Sequence, residues 1–346
     1  MKQNKSAPKV SVLVPIYNVE QYLRQCLDSV VGQTLKSIEI ICINDGSTDN
    51  SLEIVKEYAK KDKRIIIIDK KNSGYGDSMN KGLNKAKGKY IGIVESDDWA
   101  EPDMFESLYE LAEKHKVDIV KSNFYCYKSS DHSSTLLPLI KDSEVGRLID
   151  PKKNTHILFQ APSIWAAIYR RDFLTKNAIN FLPTPGASYQ DTGFNWKAWA
   201  STDKVAYTNR AYLHYRIDNE SSSVHNLEKV FCIQKEWVEI EKFLRDKNIY
   251  DELSSYMIYA KFGAYYWNLN RLDRKSAKKF LPFFRKEFKQ SAKNGSIDYS
   301  VFAKEHAYAL KAILRYPQAF FYIKPIHKLY RRGRSVLGRI KRKIHG

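Results

Sequence analysis

Glu95, Asp97 and Asp98 stand within four residues of one another, directly after the apolar run 90–94. Like charges a few ångströms apart raise each other's pKa unless a metal or a basic partner neutralises them, so this cluster asks for a cation. An apolar run of that length reads as a buried strand, which delivers the three acids to its carboxyl end. The structural alternative is a solvated acidic turn, with Asp97 or Asp98 capping the next helix. Two further groups have a similar placement. Tyr17 and Asn18 follow the apolar run 10–15, and Asp45 follows the run 38–43. A tyrosine ring stacks on a base and a carboxylate accepts a hydrogen bond from a ring N–H, so with a metal-binding pair these residues suggest a nucleoside diphosphate. Their plainer alternatives are packing for Tyr17 and a turn role for Asp45, which precedes Gly46.

The elements that must position these groups alternate. Runs 10–15, 38–43, 64–69 and 90–94 read as strands. Between them Leu23, Leu27, Val30 and Val31, then Leu52, Ile54, Val55 and Tyr58, fall at helical spacing. Ser47, Thr48 or Asp49 caps the second of these helices, 72–76 is a glycine-bearing loop, and 79–86 is a third helix. Repeated strand-helix units predict an α/β fold with a mainly parallel central sheet flanked by helices. Ligands of such sheets bind at the carboxyl ends of the strands, where all three motifs lie. No glycine-rich dinucleotide or Walker-type loop follows the first strand, so neutralising a diphosphate falls to a divalent metal at Asp97 and Asp98.

The 346 residues allow one large domain or two. The net charge of +19 is unevenly placed: no acidic residue follows Glu305, and nine Lys and Arg lie between Lys324 and Gly346. There Ile326, Leu329, Tyr330, Val336, Leu337, Ile340 and Ile344 form an apolar helical stripe, which reads as a basic amphipathic tail for an anionic membrane surface. A helix packed on its own domain is the alternative, and nucleic acid is not the expected partner. No apolar stretch is long enough to span a bilayer, and residues 1–8 carry no signal-peptide pattern. The scattered Cys26, Cys42, Cys126 and Cys232 are expected as reduced thiols, which suits a cytoplasmic setting.

Ser11-Val-Leu-Val-Pro-Ile-Tyr-Asn18, Ile43-Asn-Asp-Gly-Ser-Thr-Asp-Asn-Ser51, Asn80-Lys-Gly-Leu83 and Glu95-Ser-Asp-Asp-Trp99 occur in an order and spacing that resembles the family-2 inverting glycosyltransferases of A-type fold. The likeness is specific from about residue 9 to 99. It is looser through 163–174 and 189–194, as far as about 224. The resemblance implies a UDP-sugar donor, with Tyr17 stacking on uracil, the Pro15 carbonyl nearby and Asp45 accepting the uracil N–H. Asn80 and Ser96 join that set, Asp97 lies near ribose and metal, and Asp98 ligates Mn²⁺ or Mg²⁺. In Tyr189-Gln-Asp-Thr-Gly-Phe194 it implies Asp191 as the base that takes the acceptor hydroxyl's proton; the alternative for Asp191 is a helix cap. The sequence departs from the family pattern at Glu95 and Gln190, where aspartate and an acidic residue are commoner. It departs also at Met79, where an arginine is frequent, leaving Lys81 as a substitute phosphate contact. His225, or His214, is a candidate additional metal ligand.

Three parts are therefore expected: a transferase domain at 9–225, with a nucleotide-sugar half (9–125) and an acceptor half (126–225); a helical region at 226–310; and the basic tail at 311–346. The aromatic residues of the helical region form a core, a homo-oligomer interface or an acceptor platform. The expected protein is a peripheral enzyme at the cytoplasmic membrane face, moving a hexose or N-acetylhexosamine onto a lipid-linked saccharide acceptor. A sugar-nucleotide nucleotidyltransferase and a non-catalytic basic binding protein are the alternatives.

Overall fold

The computed structural model describes residues 7–219 and 227–321. Four parallel strands form the nucleotide half: β1 (Val10–Ile16), β2 (Ile38–Asn44), β3 (Ile65–Asp69) and β4 (Tyr90–Ile93), in spatial order β3-β2-β1-β4. All seven residues of β1 are buried, as a strand with parallel partners on both sides requires. Helices α1 (Glu20–Val31), α2 (Ser51–Lys61) and α3 (Tyr75–Lys85) connect the strands. This is the expected parallel block.

Pro15 sits in β1 without breaking the sheet, and the register explains why. Leu13 faces β4, its carbonyl accepting from Val94 N at 3.0 Å, whereas the Ile16 carbonyl accepts from Asp45 N at 2.9 Å beyond β2. By alternation Pro15 also faces β4, but the last β4 pair is Leu13 with Ile93. Its missing N–H therefore costs no ladder bond, and its carbonyl lies past the end of β4.

The second half extends the sheet with mixed direction. It adds β5 (Trp99–Ala100), α4 (Met104–His115), β6 (Ile119–Lys128), β7 (Ser133–Leu137), β8 (Leu148–Ile149), β9 (Ala167–Arg170), α5 (Arg171–Lys176), α6 (Gln190–Ser201) and β10 (Val205–Arg216). The order continues β4-β9-β6-β10-β5, with β7 beside β6 and β8 beside β10. Strand β9 runs antiparallel to both β4 and β6, whereas β10 is parallel to β6.

Among the described residues four α-helices follow: α7 (Ile233–Asp246), α8 (Tyr250–Arg271), α9 (Arg274–Lys293) and α10 (Lys304–Arg315). Among the described residues, one compact unit comprises 7–219 and Cys232–Asn248; the other comprises Leu227–Phe231 and 249–321. The units thus divide after α7 rather than at 225. Trp237 on α7 packs edge-on against Trp196 of α6, ring centroids 5.9 Å apart, which ties this helix to the first unit. The second unit has an aromatic core in which Phe262 and Tyr265 of α8 meet Phe284 and Phe288 of α9. Position 311 falls inside α10, and the basic sequence 322–346 lies outside the described residues, as does His225. The four cysteines are free thiols, Cys26 and Cys42 buried. Among the described residues no helix is long and apolar enough to cross a membrane.

Candidate active site

The carboxyl ends of β1, β2 and β4 lie side by side, and local turns fix what each presents. Asn18 takes a left-handed φ of 50°. Its side-chain oxygen accepts from Thr48 N at 2.8 Å, and its own N–H donates to Ser47 Oγ at 3.1 Å. Asp49 holds the starts of both flanking helices, accepting from Glu20 N (3.0 Å) and Ser51 N (3.0 Å). Asp49 is thus the member of the expected capping trio that meets α2. These contacts pin the β1 and β2 turns together and leave the Tyr17 ring half exposed beyond the end of β1.

Asp45 is buried and largely engaged. One carboxylate oxygen accepts from Ser73 N at 2.8 Å and from the Lys70 ammonium; the other accepts from Gly74 N at 2.9 Å. That second oxygen retains one acceptor position for a ligand N–H. Asp45 therefore organises the loop leading to α3. This helix begins at Tyr75, earlier than the sequence pattern at 79–86 indicates, because Gly74 (φ 98°) turns the chain directly into it. A Cβ on Gly74 would stand 2.6 Å from the Thr184 carbonyl oxygen, and one on Gly76 2.1 Å from that of Leu182. Only glycine admits the 182–186 loop this close.

Asn80 does not face the cleft as a donor ligand. Its amide clamps the Phe181 backbone, donating to the carbonyl at 2.8 Å and accepting from the N–H at 2.9 Å. Lys81 pairs with Asp77 at 2.8 Å, and Met79 is fully buried. Gln190 shows why an acidic residue is absent there: its amide accepts from Ser188 N (2.5 Å) and donates to Thr184 Oγ1 (2.9 Å) and the Gly186 carbonyl (3.1 Å). A carboxylate has no N–H for the last two bonds.

The acids after β4 are held from β10, at long sequence range. Arg216 donates its backbone N–H to Asp98 Oδ1 at 2.8 Å and its Nε–H to the Asp97 carbonyl at 2.9 Å. Its guanidinium lies over the rings of Tyr22 (4.4 Å), Tyr127 (5.1 Å) and Trp99 (5.3 Å), and donates to Gln25 Oε1 at 2.7 Å. Asn219 donates to Asp97 Oδ2 at 2.7 Å. Ser96 is buried between Glu95 and this pair. Glu95 accepts from the Tyr75 hydroxyl at 2.7 Å. Neither Arg216 nor Tyr75 is evident from sequence, since each acts on the acids only after the chain has folded back.

Electrostatics joins these acids to Asp191. Burial, then repulsion from Asp97 and Asp191, pushes Glu95 up to about 8. Burial pushes Asp191 up to about 6, offset partly by the Thr192 N–H, which donates to Asp191 Oδ1 at 2.8 Å. The Tyr215 hydroxyl is raised by burial and by the charges of Asp98, Asp97, Asp191 and Glu95. Asp98 is raised well above the carboxylate range by burial and by Asp97. Its Oδ2 is buried with no hydrogen-bond partner. A divalent cation satisfies that donor set, because Mg²⁺-type sites commonly take one or two carboxylates and complete their shell with substrate phosphates and water. Among the described residues no three acidic, His or Cys side chains are grouped so as to hold a metal ion. His214 takes no part. Its ring stacks between Trp99 (4.6 Å) and Tyr125 (4.8 Å), and its nitrogens meet Glu101 (2.7 Å) and Ser134 (3.2 Å).

Comparison with known proteins decides the family. The profile of glycosyl transferase family 2 matches residues 11–177. The uncharacterised glycosyltransferase YibD of Escherichia coli K12 is 31% identical over 271 residues, 74% of this chain and 76% of the relative. The chain belongs to glycosyl transferase family 2. The glycosyltransferase GlyA of Streptococcus pneumoniae serotype 4 is 35% identical over 223 residues, 62% of this chain, though the match spans only 31% of that longer protein. The crystal structure of Staphylococcus aureus TarS 1–349 matches with a TM-score of 0.65 at 20% identity, covering 94% of this chain and 92% of that one. This likeness establishes the A-type fold for the family-2 chain described here. The same TarS segment has been crystallised in complex with UDP-GlcNAc.

Proposed function

We propose that this family-2 chain transfers a hexose or N-acetylhexosamine, with inversion, from a UDP-sugar to an acceptor hydroxyl. The observation that carries the proposal is the partnerless, buried Asp98 Oδ2 beside Asp97 at the carboxyl end of β4. The half-exposed Tyr17 and the remaining acceptor position on Asp45 support a uracil at the adjoining strand ends. The UDP-GlcNAc complex of a protein of the same fold supports that donor class.

Asp98, with Asp97, would hold Mn²⁺ or Mg²⁺, which when bound neutralises the departing diphosphate. Arg216 keeps both acids in place. Asp191 takes the proton from the attacking acceptor hydroxyl as it bonds to the anomeric carbon, and UDP leaves from the opposite face. Its carboxyl, raised to about 6, is ionised at neutral pH yet more basic than an ordinary aspartate, as a general base requires. The proposed acceptor is a lipid-linked oligosaccharide of a surface polysaccharide at the inner face of the cell membrane, a setting supported by the basic, apolar-striped sequence after residue 323.

A panel of UDP-sugars with Mn²⁺ and saccharide acceptors tests the reaction. UDP release with acceptor-dependent formation of the inverted glycoside is the expected result. Pyrophosphate release, or no metal-dependent binding of UDP, would overturn it.

A further inference from the structure

Helix α9 carries six lysines in one line. Lys275, Lys278, Lys279, Lys286, Lys289 and Lys293 are spaced by combinations of three, four and seven, and every one is exposed. At 100° per residue they share one face, and at about 1.5 Å per residue they span about 27 Å. Ala277, Phe280, Leu281, Phe284 and Phe288 bury the opposite face.

No described acid of the second unit pairs with this stripe. The only acid within α9 is Glu287, which pairs with Lys261 at 2.9 Å. Asp273 caps the start of α9, accepting from Lys275 N (2.8 Å) and Ser276 N (3.0 Å). None of the six lysines forms an ion pair with a described residue. Like charges at three- and four-residue spacing destabilise a helix, and a facing anionic plane relieves that repulsion.

We propose that this stripe is a docking surface for an anionic lipid bilayer, lying flat on the headgroups through charge rather than insertion. A bilayer fits better than nucleic acid because the stripe has no exposed ring interleaved for base stacking. Helix α10 shows the composition of a headgroup boundary: Lys304, Tyr308, Lys311 and Arg315 recur at spacings of four and three on an exposed face, with Tyr308 73% and Tyr316 59% exposed. The sequence continuing from residue 324 adds nine further cations and an apolar stripe. Stable peripheral anchoring generally needs two signals, and α9 supplies one that does not depend on that sequence.

This inference stands apart from the transfer reaction, and the experiment separates them. The full chain is sedimented with vesicles of phosphatidylglycerol and phosphatidylcholine, and with vesicles of phosphatidylcholine alone, at low and high salt. Wild type should bind only the anionic vesicles and release with salt. Each surface lysine contributes on the order of fivefold, so K275Q/K279Q/K286Q/K293Q should bind on the order of a thousandfold more weakly. The matching four-arginine variant should retain binding, and UDP release without vesicles should be the same in all three proteins. Vesicle binding by the glutamine variant equal to wild type, no preference of wild type for anionic vesicles, or tighter binding to RNA than to vesicles would each overturn the proposal.

Discussion

Glu236 on α7 offers the sharpest physical test of the packing behind Asp191. It is 1% exposed, both of its carboxylate oxygens lack a hydrogen-bond partner, and it fills the space where a Cβ on Gly193 would lie, 2.2 Å from Oε2. Burial, then repulsion from Asp191, pushes Glu236 from 4.5 up to about 8, against a partial offset from Lys197. Because the folded value is raised, the stabilisation is fully present below about pH 4.5 and is lost as pH rises through about 8. Between about pH 5 and pH 7 the unfolded chain ionises this group while the folded chain does not. Each pKa unit is worth about 1.4 kcal/mol, so wild type loses about 2 to 3 kcal/mol from this group over that interval. Glutamine has nearly the same shape and cannot ionise. The stability of Glu236→Gln relative to wild type, from denaturant unfolding at several pH values, should therefore improve by about that amount as pH rises. A stability difference that stays constant from about pH 5 to pH 8 would refute the burial and the unpaired state assigned to Glu236.

Asn80→Ala removes the clamp on Phe181 and leaves two backbone groups without partners; it should lower stability by about 2 kcal/mol while leaving UDP affinity within about twofold, by thermal shift and calorimetry. Gly76→Ala places a methyl against the Leu182 carbonyl, a backbone atom that cannot move aside as a side-chain tip can, so it should displace the 182–186 loop and reduce both melting temperature and turnover. If Asp191 is the base, kcat/KM should rise with pH through about 6, because the ionised carboxylate is the active form. A profile already flat below pH 5 would contradict that role.

The sequence carries the site where chemistry and strand end coincide. The run 90–94 followed by Glu95, Asp97 and Asp98 identifies both a buried strand and the acids at its end, and local pattern suffices because the acids leave the sheet immediately. Asn80 was legible as part of a motif but not in its role, since its partner Phe181 is 101 residues away. Arg216 bonds Asp98 across 118 residues, a pairing that exists only once β10 lies beside β6. His214 looked like a free ligand because its spacing says nothing of the Trp99 and Tyr125 rings that enclose it. The start of α3 was missed for a conformational reason: Gly74 interrupts the apolar pattern yet begins the helix. The Trp196–Trp237 contact, which joins α7 to the first unit, couples residues that no periodicity links.

The central claim is that Asp191 activates the acceptor at a UDP-sugar site whose metal corner is formed by Asp98 and Asp97. Asp191→Asn, compared with wild type by calorimetric titration of UDP with Mn²⁺ and by turnover on the best donor and acceptor pair, tests it most directly. UDP affinity should stay within about twofold while turnover falls by about 10² to 10⁴. Near-normal turnover in Asp191→Asn, with UDP still bound, would contradict it.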